Sequence, residues 1–131
     1  MKQCVIAFLP ALCAVALSGC LSARTSGVMV EKGRLFIEDP AFAANIEVVQ
    51  DFREKTPEGF LHAQVTVKNT NRTDYECQYC FEWREESGIV MIHVPTPWRP
   101  CMLHGRETQN LDAICPRPGA EDFRLKIRRA D

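Results

Sequence analysis

The sequence predicts an all-β domain, an immunoglobulin-like antiparallel β-sandwich of about six to eight short strands. Three observations carry that reading. Leu61, Ala63, Val65 and Val67 alternate with His62, Gln64, Thr66 and Lys68, the period-two pattern of a strand with one buried face. Tyr75, Cys77, Tyr79, Phe81 and Trp83 share one face of a second run, opposite Glu76, Gln78, Cys80, Glu82 and Arg84. Turn-forming clusters then recur at short intervals: Thr56-Pro57-Glu58-Gly59, Asn69 to Asp74, Glu85-Glu86-Ser87-Gly88 and Pro116-Arg117-Pro118-Gly119.

In chain order, Val28 to Ile37 reads as one strand or a short hairpin broken at Lys32-Gly33 and closed by Asp39-Pro40. Ala41 to Ala44 suits a helical turn, and Ile46, Val48 and Val49 are the β-branched residues of a strand over Asn45 to Phe52. At Thr56 to Gly59 proline presets one backbone angle and glycine accepts a positive one, so the chain reverses. The aromatic run from Tyr75 is the expected core strand, because each buried ring hides about 150–250 Å². Ile89 to Val94 predicts another short strand, and Pro95, Pro97 and Pro100 an extended loop holding Trp98. Cys101 to Leu103 and Glu107 to Ile114 predict strands around His104-Gly105-Arg106; Phe123, Leu125 and Ile127 mark a last one.

The N-terminus is an address rather than a part of the domain. Lys2 precedes an apolar run, Val5 to Leu17, that is too short to span a bilayer. Leu17-Ser18-Gly19-Cys20 resembles the lipobox of bacterial lipoproteins, in which the cysteine becomes the first mature residue and carries lipid. This divides the chain into a cleaved signal peptide (1–19), a lipid anchor at Cys20 with a small polar tether (20–27), and one β-sandwich domain (28–131). Acyl chains contribute about 0.8 kcal/mol per buried methylene, so a multiply acylated Cys20 binds a membrane durably. Inner-membrane retention resembles an aspartate after the anchor; Leu21 stands there and points to the outer membrane.

Lys2 is the only charged residue before Cys20, which leaves 15 basic against 17 acidic side chains. That balance argues against nucleic acid as a partner, since such binding needs a concentrated basic face. The one basic cluster, Arg124, Lys126, Arg128 and Arg129, reads as a solvated strand face or as a phosphate or headgroup contact. Of seven cysteines, Cys77, Cys80, Cys101 and Cys115 belong to the domain. An even number in an oxidising compartment predicts disulfides; the sequence leaves their connectivity open, and the expected facing of the strands favours Cys77 with Cys115 and Cys80 with Cys101 over unpaired buried thiols.

Several landmarks together resemble the YcfL-like family of small bacterial lipoproteins. They are Val67-Lys68-Asn69 ending a strand, Tyr79-Cys80-Phe81-Glu82-Trp83 with Gly88 five residues on, and Pro97-Trp98 before an apolar strand. The closing block from Leu111-Asp112-Ala113-Ile114-Cys115-Pro116 to Asp122-Phe123-Arg124-Leu125 completes the likeness, which spans Phe60 to Arg128. The resemblance implies a compact β-sandwich at the outer membrane, facing the periplasm, with no established activity and no catalytic residues. Cys77, Cys80 and Cys101 depart from the family's pattern.

No cofactor is expected and no enzyme class emerges. Cys77-Gln78-Tyr79-Cys80 has CxxC spacing, the basis of a rival reading as a thiol-disulfide or metal-handling protein. A reactive pair opens a helix, however, and three strand rises separate the two Cα atoms by about 10 Å, beyond the about 7 Å limit of a disulfide. His62, His93 and His104 lie on separate segments without zinc spacing. Ser87 is the domain's only serine, with no nucleophile elbow, and Glu85-Glu86 and Glu121-Asp122 sit in turns. Trp98 is either a core plug or an exposed contact for a partner. The expectation is a non-enzymatic lipoprotein held on the membrane through Cys20, whose sandwich binds or supports another envelope component.

Overall fold

The computed structural model describes residues 29–130; the expected signal, Cys20 and its tether lie outside them. Eight strands form two sheets: β1 (Met29–Lys32), β2 (Leu35–Glu38), β3 (Ile46–Lys55), β4 (Leu61–Asn69), β5 (Tyr75–Arg84), β6 (Arg99–Leu103), β7 (Thr108–Ile114) and β8 (Asp122–Arg129). The larger sheet has the order β1-β2-β8-β5-β6 and the smaller one β3-β4-β7. The fold is therefore an all-β sandwich, as the alternation predicts.

Between β2 and β3 lies one helical turn, α1 (Pro40–Ala43). Asp39 caps it, its Oδ1 accepting the Ala41 N–H at 2.9 Å, while Pro40 supplies the preset first helical residue. Phe42 and Ala43 are thereby turned into the core. Gly59 closes the reversal between β3 and β4 with φ 91°, a left-handed value that a side chain would strain.

The core is made by period-two burial in both layers. Leu61, Ala63, Val65 and Val67 of β4 meet Leu35 and Ile37 of β2, Phe81 and Trp83 of β5, and Phe123, Leu125 and Ile127 of β8. β5 and β8 pair in register, Tyr79 opposite Ile127, Phe81 opposite Leu125 and Trp83 opposite Phe123, so aromatic and aliphatic rows interleave. Phe81 stacks on Trp83 at 5.5 Å and lies 5.7 Å from Phe123.

Three expectations need correction. The sheet is mixed, because β2 and β8 run parallel; these strands lie far apart in sequence, so no hairpin imposes an antiparallel sense. Ile89 to Val94 forms no strand. β6 occupies one edge of β5 only from Tyr75 to Tyr79; beyond it this segment makes one bridge, Arg84 to Val90, with the Met91 N–H donating to the Trp83 carbonyl and the Ile89 carbonyl accepting the Glu85 N–H, and then turns away through the Val94 N–H to Met91 carbonyl bond. Pro100 lies inside β6 rather than in the loop, which an edge strand tolerates when the missing N–H faces away from its neighbour.

Asn69, the one buried polar side chain among the described residues, is 0% exposed and fully bonded. Its Nδ2 donates to the Thr73 and Leu103 carbonyls, and its Oδ1 accepts the Asn71 N–H. The end of β4 is thus fastened to the end of β6 across the two sheets.

At another rim, Asp122 accepts from Arg34 at 2.8 Å and lies 3.0 Å from Arg53, linking β8 to β3. Burial alone would raise the Asp122 carboxyl, but the hydrogen bonds from Arg34 and the Phe123 N–H, with both guanidinium charges, hold it below its ordinary 3.8. The depressed value means stability present above the ordinary carboxylate pKa and lost as pH falls through the lower folded one. These groups are partly exposed, so Asp122→Asn should cost less than about 1 kcal/mol near neutrality. Urea unfolding of the two proteins should converge as pH drops below 3.8.

Candidate functional site

The outward residues of β5, β8 and β2 bring charged, amide, thiol and aromatic side chains onto one face. Alternation puts Gln78, Cys80, Glu82 and Arg84 on this face of β5, and strand register sets Arg128, Lys126 and Arg124 directly opposite the first three. Phe36 on β2 lies opposite Lys126 on its other side. Trp98, in the loop entering β6, closes the arrangement from above.

At its centre Glu82 pairs with Lys126 at 2.7 Å and with Arg84 at 2.7 Å. Burial works to raise this carboxyl, but hydrogen bonds and charge from Lys126 and Arg84 outweigh it and hold Glu82 below the usual carboxylate value. It is ionised at neutral pH and internally neutralised. The flanking cations are different. Arg128 lies 3.9 Å from the Trp98 ring centre and donates from Nε to Gln78. Arg124 lies 4.6 Å from the Phe36 ring centre. No ion pair engages either guanidinium among the described residues, and each sits over an aromatic ring, attracted by its quadrupole. Beside them runs a groove of about 330 Å³ lined by Met29, Phe36, Glu38, Ile127 and Trp98 together with Glu82, Arg84, Arg124 and Lys126; Arg128 meets it only through the Trp98 ring.

Trp98 is thus no plug between the sheets: it is 36% exposed and walls the groove. The basic row was legible in the sequence, and so was its alternation. The aromatic rings beneath it were not, because Phe36 reaches this face only through the parallel pairing of β2 with β8.

The cysteines fall out differently from the expected pairing. Among the described residues no disulfide is formed, Cys77, Cys80, Cys101 and Cys115 all being free thiols. Cys77 lies directly opposite Cys101 in the β5–β6 ladder, and both side chains turn toward the core. Cys80 is on the outward face and 7% exposed, so it cannot meet Cys101 across the sheet. The Cys77–Cys115 and Cys80–Cys101 pairs are therefore replaced by a Cys77–Cys101 juxtaposition, which follows from β6 being β5's immediate neighbour. Cys77 and Cys80, facing opposite ways, form no CxxC centre, and burial pushes the Cys80 thiol up despite Lys126 and Arg128 nearby. Among the described residues, no group of three His, Cys, Asp or Glu side chains is arranged to hold a metal. His62 contacts Asp112 and His104 contacts Asp74, each on the surface. Cys20 lies outside the described residues.

A family model described as a protein of unknown function, DUF1425, matches residues 33–129, which take in every strand from β2 to β8. The chain belongs to the DUF1425 family. Two solved structures share the fold. One, the crystal structure of Campylobacter jejuni cj0090, aligns with TM-score 0.64 and 18% identity over 76% of this chain and 100% of that one. The other, a DUF1425 family member from Shewanella sp. pv-4, aligns with TM-score 0.58 and 24% identity over 82% of this chain and 93% of that one. No curated protein matches the sequence. The DUF1425 domain is thus a bacterial β-sandwich whose chemistry has to be argued from its own surface.

Proposed function

We propose that this DUF1425 protein is a lipid-anchored component of the bacterial envelope, held through Cys20 at the outer membrane and facing the periplasm. Its sandwich is a non-enzymatic binding module that engages another envelope component through the groove beside Trp98. The observation that carries the binding reading is two guanidinium groups free of ion pairs among the described residues: Arg124, held on Phe36 in the lining of the groove, and Arg128, held on the Trp98 ring that walls it. Rigid aromatic anchors beside arginine are the side chains that dominate binding energy at protein interfaces. Their charge, with that of Lys126 and Arg84, favours an anionic partner segment; of the two carboxylates lining the groove, Glu82 is already neutralised by Lys126 and Arg84, and Glu38 is left to oppose it. The lipobox-like Leu17-Ser18-Gly19-Cys20 supports the address.

A photo-crosslinking side chain in place of Trp98, compared in living cells with one in place of the exposed Glu54 on β3, tests this. A reproducible adduct is expected at position 98 alone, and Arg128→Ala should weaken it by about ten-fold, equivalent to about 1.4 kcal/mol. The absence of an adduct, or equal adducts at both positions, would overturn the binding reading.

A further inference from the structure

We propose that Cys77 and Cys101 are a cross-strand thiol pair that closes into a disulfide on exposure to an organic disulfide, tethering the edge strand β6 to β5. The argument starts from the backbone. The Glu76 carbonyl accepts the Ala130 N–H at 2.9 Å, so the peptide groups of residue 76 point toward β8, and those of Cys77, the next residue, toward β6. Pro100, which has no N–H, stands opposite Gln78, at the position whose backbone groups face away. Cys77 and Cys101 are therefore a hydrogen-bonded antiparallel pair, with Cα atoms about 5.5 Å apart, within the about 4.4–6.8 Å range of disulfides.

The Cβ atoms of such a pair lie about 5.5 Å apart, whereas a bridge brings them to about 3.8 Å. β6 has to move inward to close that gap. It is free to do so: it is five residues long, it pairs only with β5 among the described strands, and it is entered through Pro95 and Pro97. Cys80, on the other face, takes no part.

The two thiols are unequal. Cys77 is 1% exposed while Cys101 is half-buried. The nearby Cys77 thiol, which donates to the Tyr75 carbonyl at 3.5 Å, lowers the Cys101 thiol against the opposing effect of burial. Contact with Cys101, then burial, pushes Cys77 up. Cys101 is the attacking thiolate. It displaces one R–S⁻ from R–S–S–R to give a mixed disulfide; Cys77 then loses its proton to solvent and attacks the Cys101 sulfur, expelling the second R–S⁻. Two protein thiols are oxidised and one organic disulfide is reduced to two thiols. Because Arg99 opens β6 immediately after Trp98, the bridge also steadies the strand that carries that wall of the groove. It forms or fails to form whether or not the groove binds a partner, so the two readings are separable.

The test uses the full chain, reduced, then incubated folded with oxidised glutathione, acid-quenched, alkylated and mapped by peptide mass. The expected result is a Cys77–Cys101 linked peptide, unchanged in Cys80→Ser and absent in Cys101→Ser, with the melting temperature raised by about 5–10 °C. Alkylatable Cys77 and Cys101 after the incubation, or a bridge from Cys77 to Cys80 or Cys115 instead, would overturn the proposal.

Discussion

Phe123→Ala is expected to cost about 3–5 kcal/mol, a large part of the stability available to a domain of this size. The ring is fully buried in β8. It lies opposite Trp83 in the ladder and 5.7 Å from Phe81, so its removal opens a cavity beside the aromatic row. It also sits under Arg34, whose guanidinium carbon is 5.7 Å from the ring centre, and the same arginine holds Asp122 at 2.8 Å. Loss of the ring therefore loosens the rim clamp as well as the core. Phe123→Leu keeps an apolar side chain in the space and should lose much less. Urea denaturation of the three proteins, read by tryptophan emission, measures the difference; a cost for the alanine variant below about 1 kcal/mol would mean that the core collapses to fill the site.

Much of this architecture is legible in the residues. The alternation in Leu61 to Lys68 and in Phe123 to Arg128 is a local property, and β4 and β8 form where it stands because each has one face to bury. The hairpin at Lys32-Gly33 and the helical turn near Phe42 are likewise set by neighbouring residues. What the sequence does not carry is which strand meets which. The parallel pairing of β2 with β8 and the seating of β6 against the first half of β5 are decided by non-local packing. Those pairings place Phe36 under Arg124 and Cys77 against Cys101. The candidate groove was therefore half visible, as a basic row and a tryptophan among prolines, and the thiol pair was visible only as two cysteines without a register. Asn69 shows the same division. Its place at the end of a strand can be read from Val67-Lys68-Asn69, but its bond to the Leu103 carbonyl belongs to the assembled sandwich.

Gly105→Ala is the second substitution expected to damage the fold, by about 3 kcal/mol, through overpacking rather than through a cavity. Gly105 lies in the turn between β6 and β7, pressed against the turn between β4 and β5. A Cβ there would stand 2.1 Å from the Arg72 carbonyl oxygen and 2.5 Å from its carbon, a clash with backbone that no side-chain rotation relieves. The two turns cannot simply separate. Gly105 donates its N–H to Asp74 at 2.8 Å, Arg106 donates to the Asn71 carbonyl, and Asn69 bonds both Leu103 and Glu107. An alanine must break some of these or move the end of β6 away from the end of β4, which takes the Leu103 carbonyl from the buried Asn69 amide and leaves its Nδ2 only Thr73, a loss of about 1–3 kcal/mol. Gly88→Ala separates this mechanism from loss of glycine's freedom: Gly88 has φ 85° and open space around its Cα, so it should cost only the about 1–2 kcal/mol of a left-handed residue. Urea midpoints for the two variants should fall in that order. Faster hydrogen exchange at Asn71 and Glu107 in Gly105→Ala alone would locate the damage at the seam between the turns, and equal midpoints would mean that the close approach yields more readily than its bonds imply.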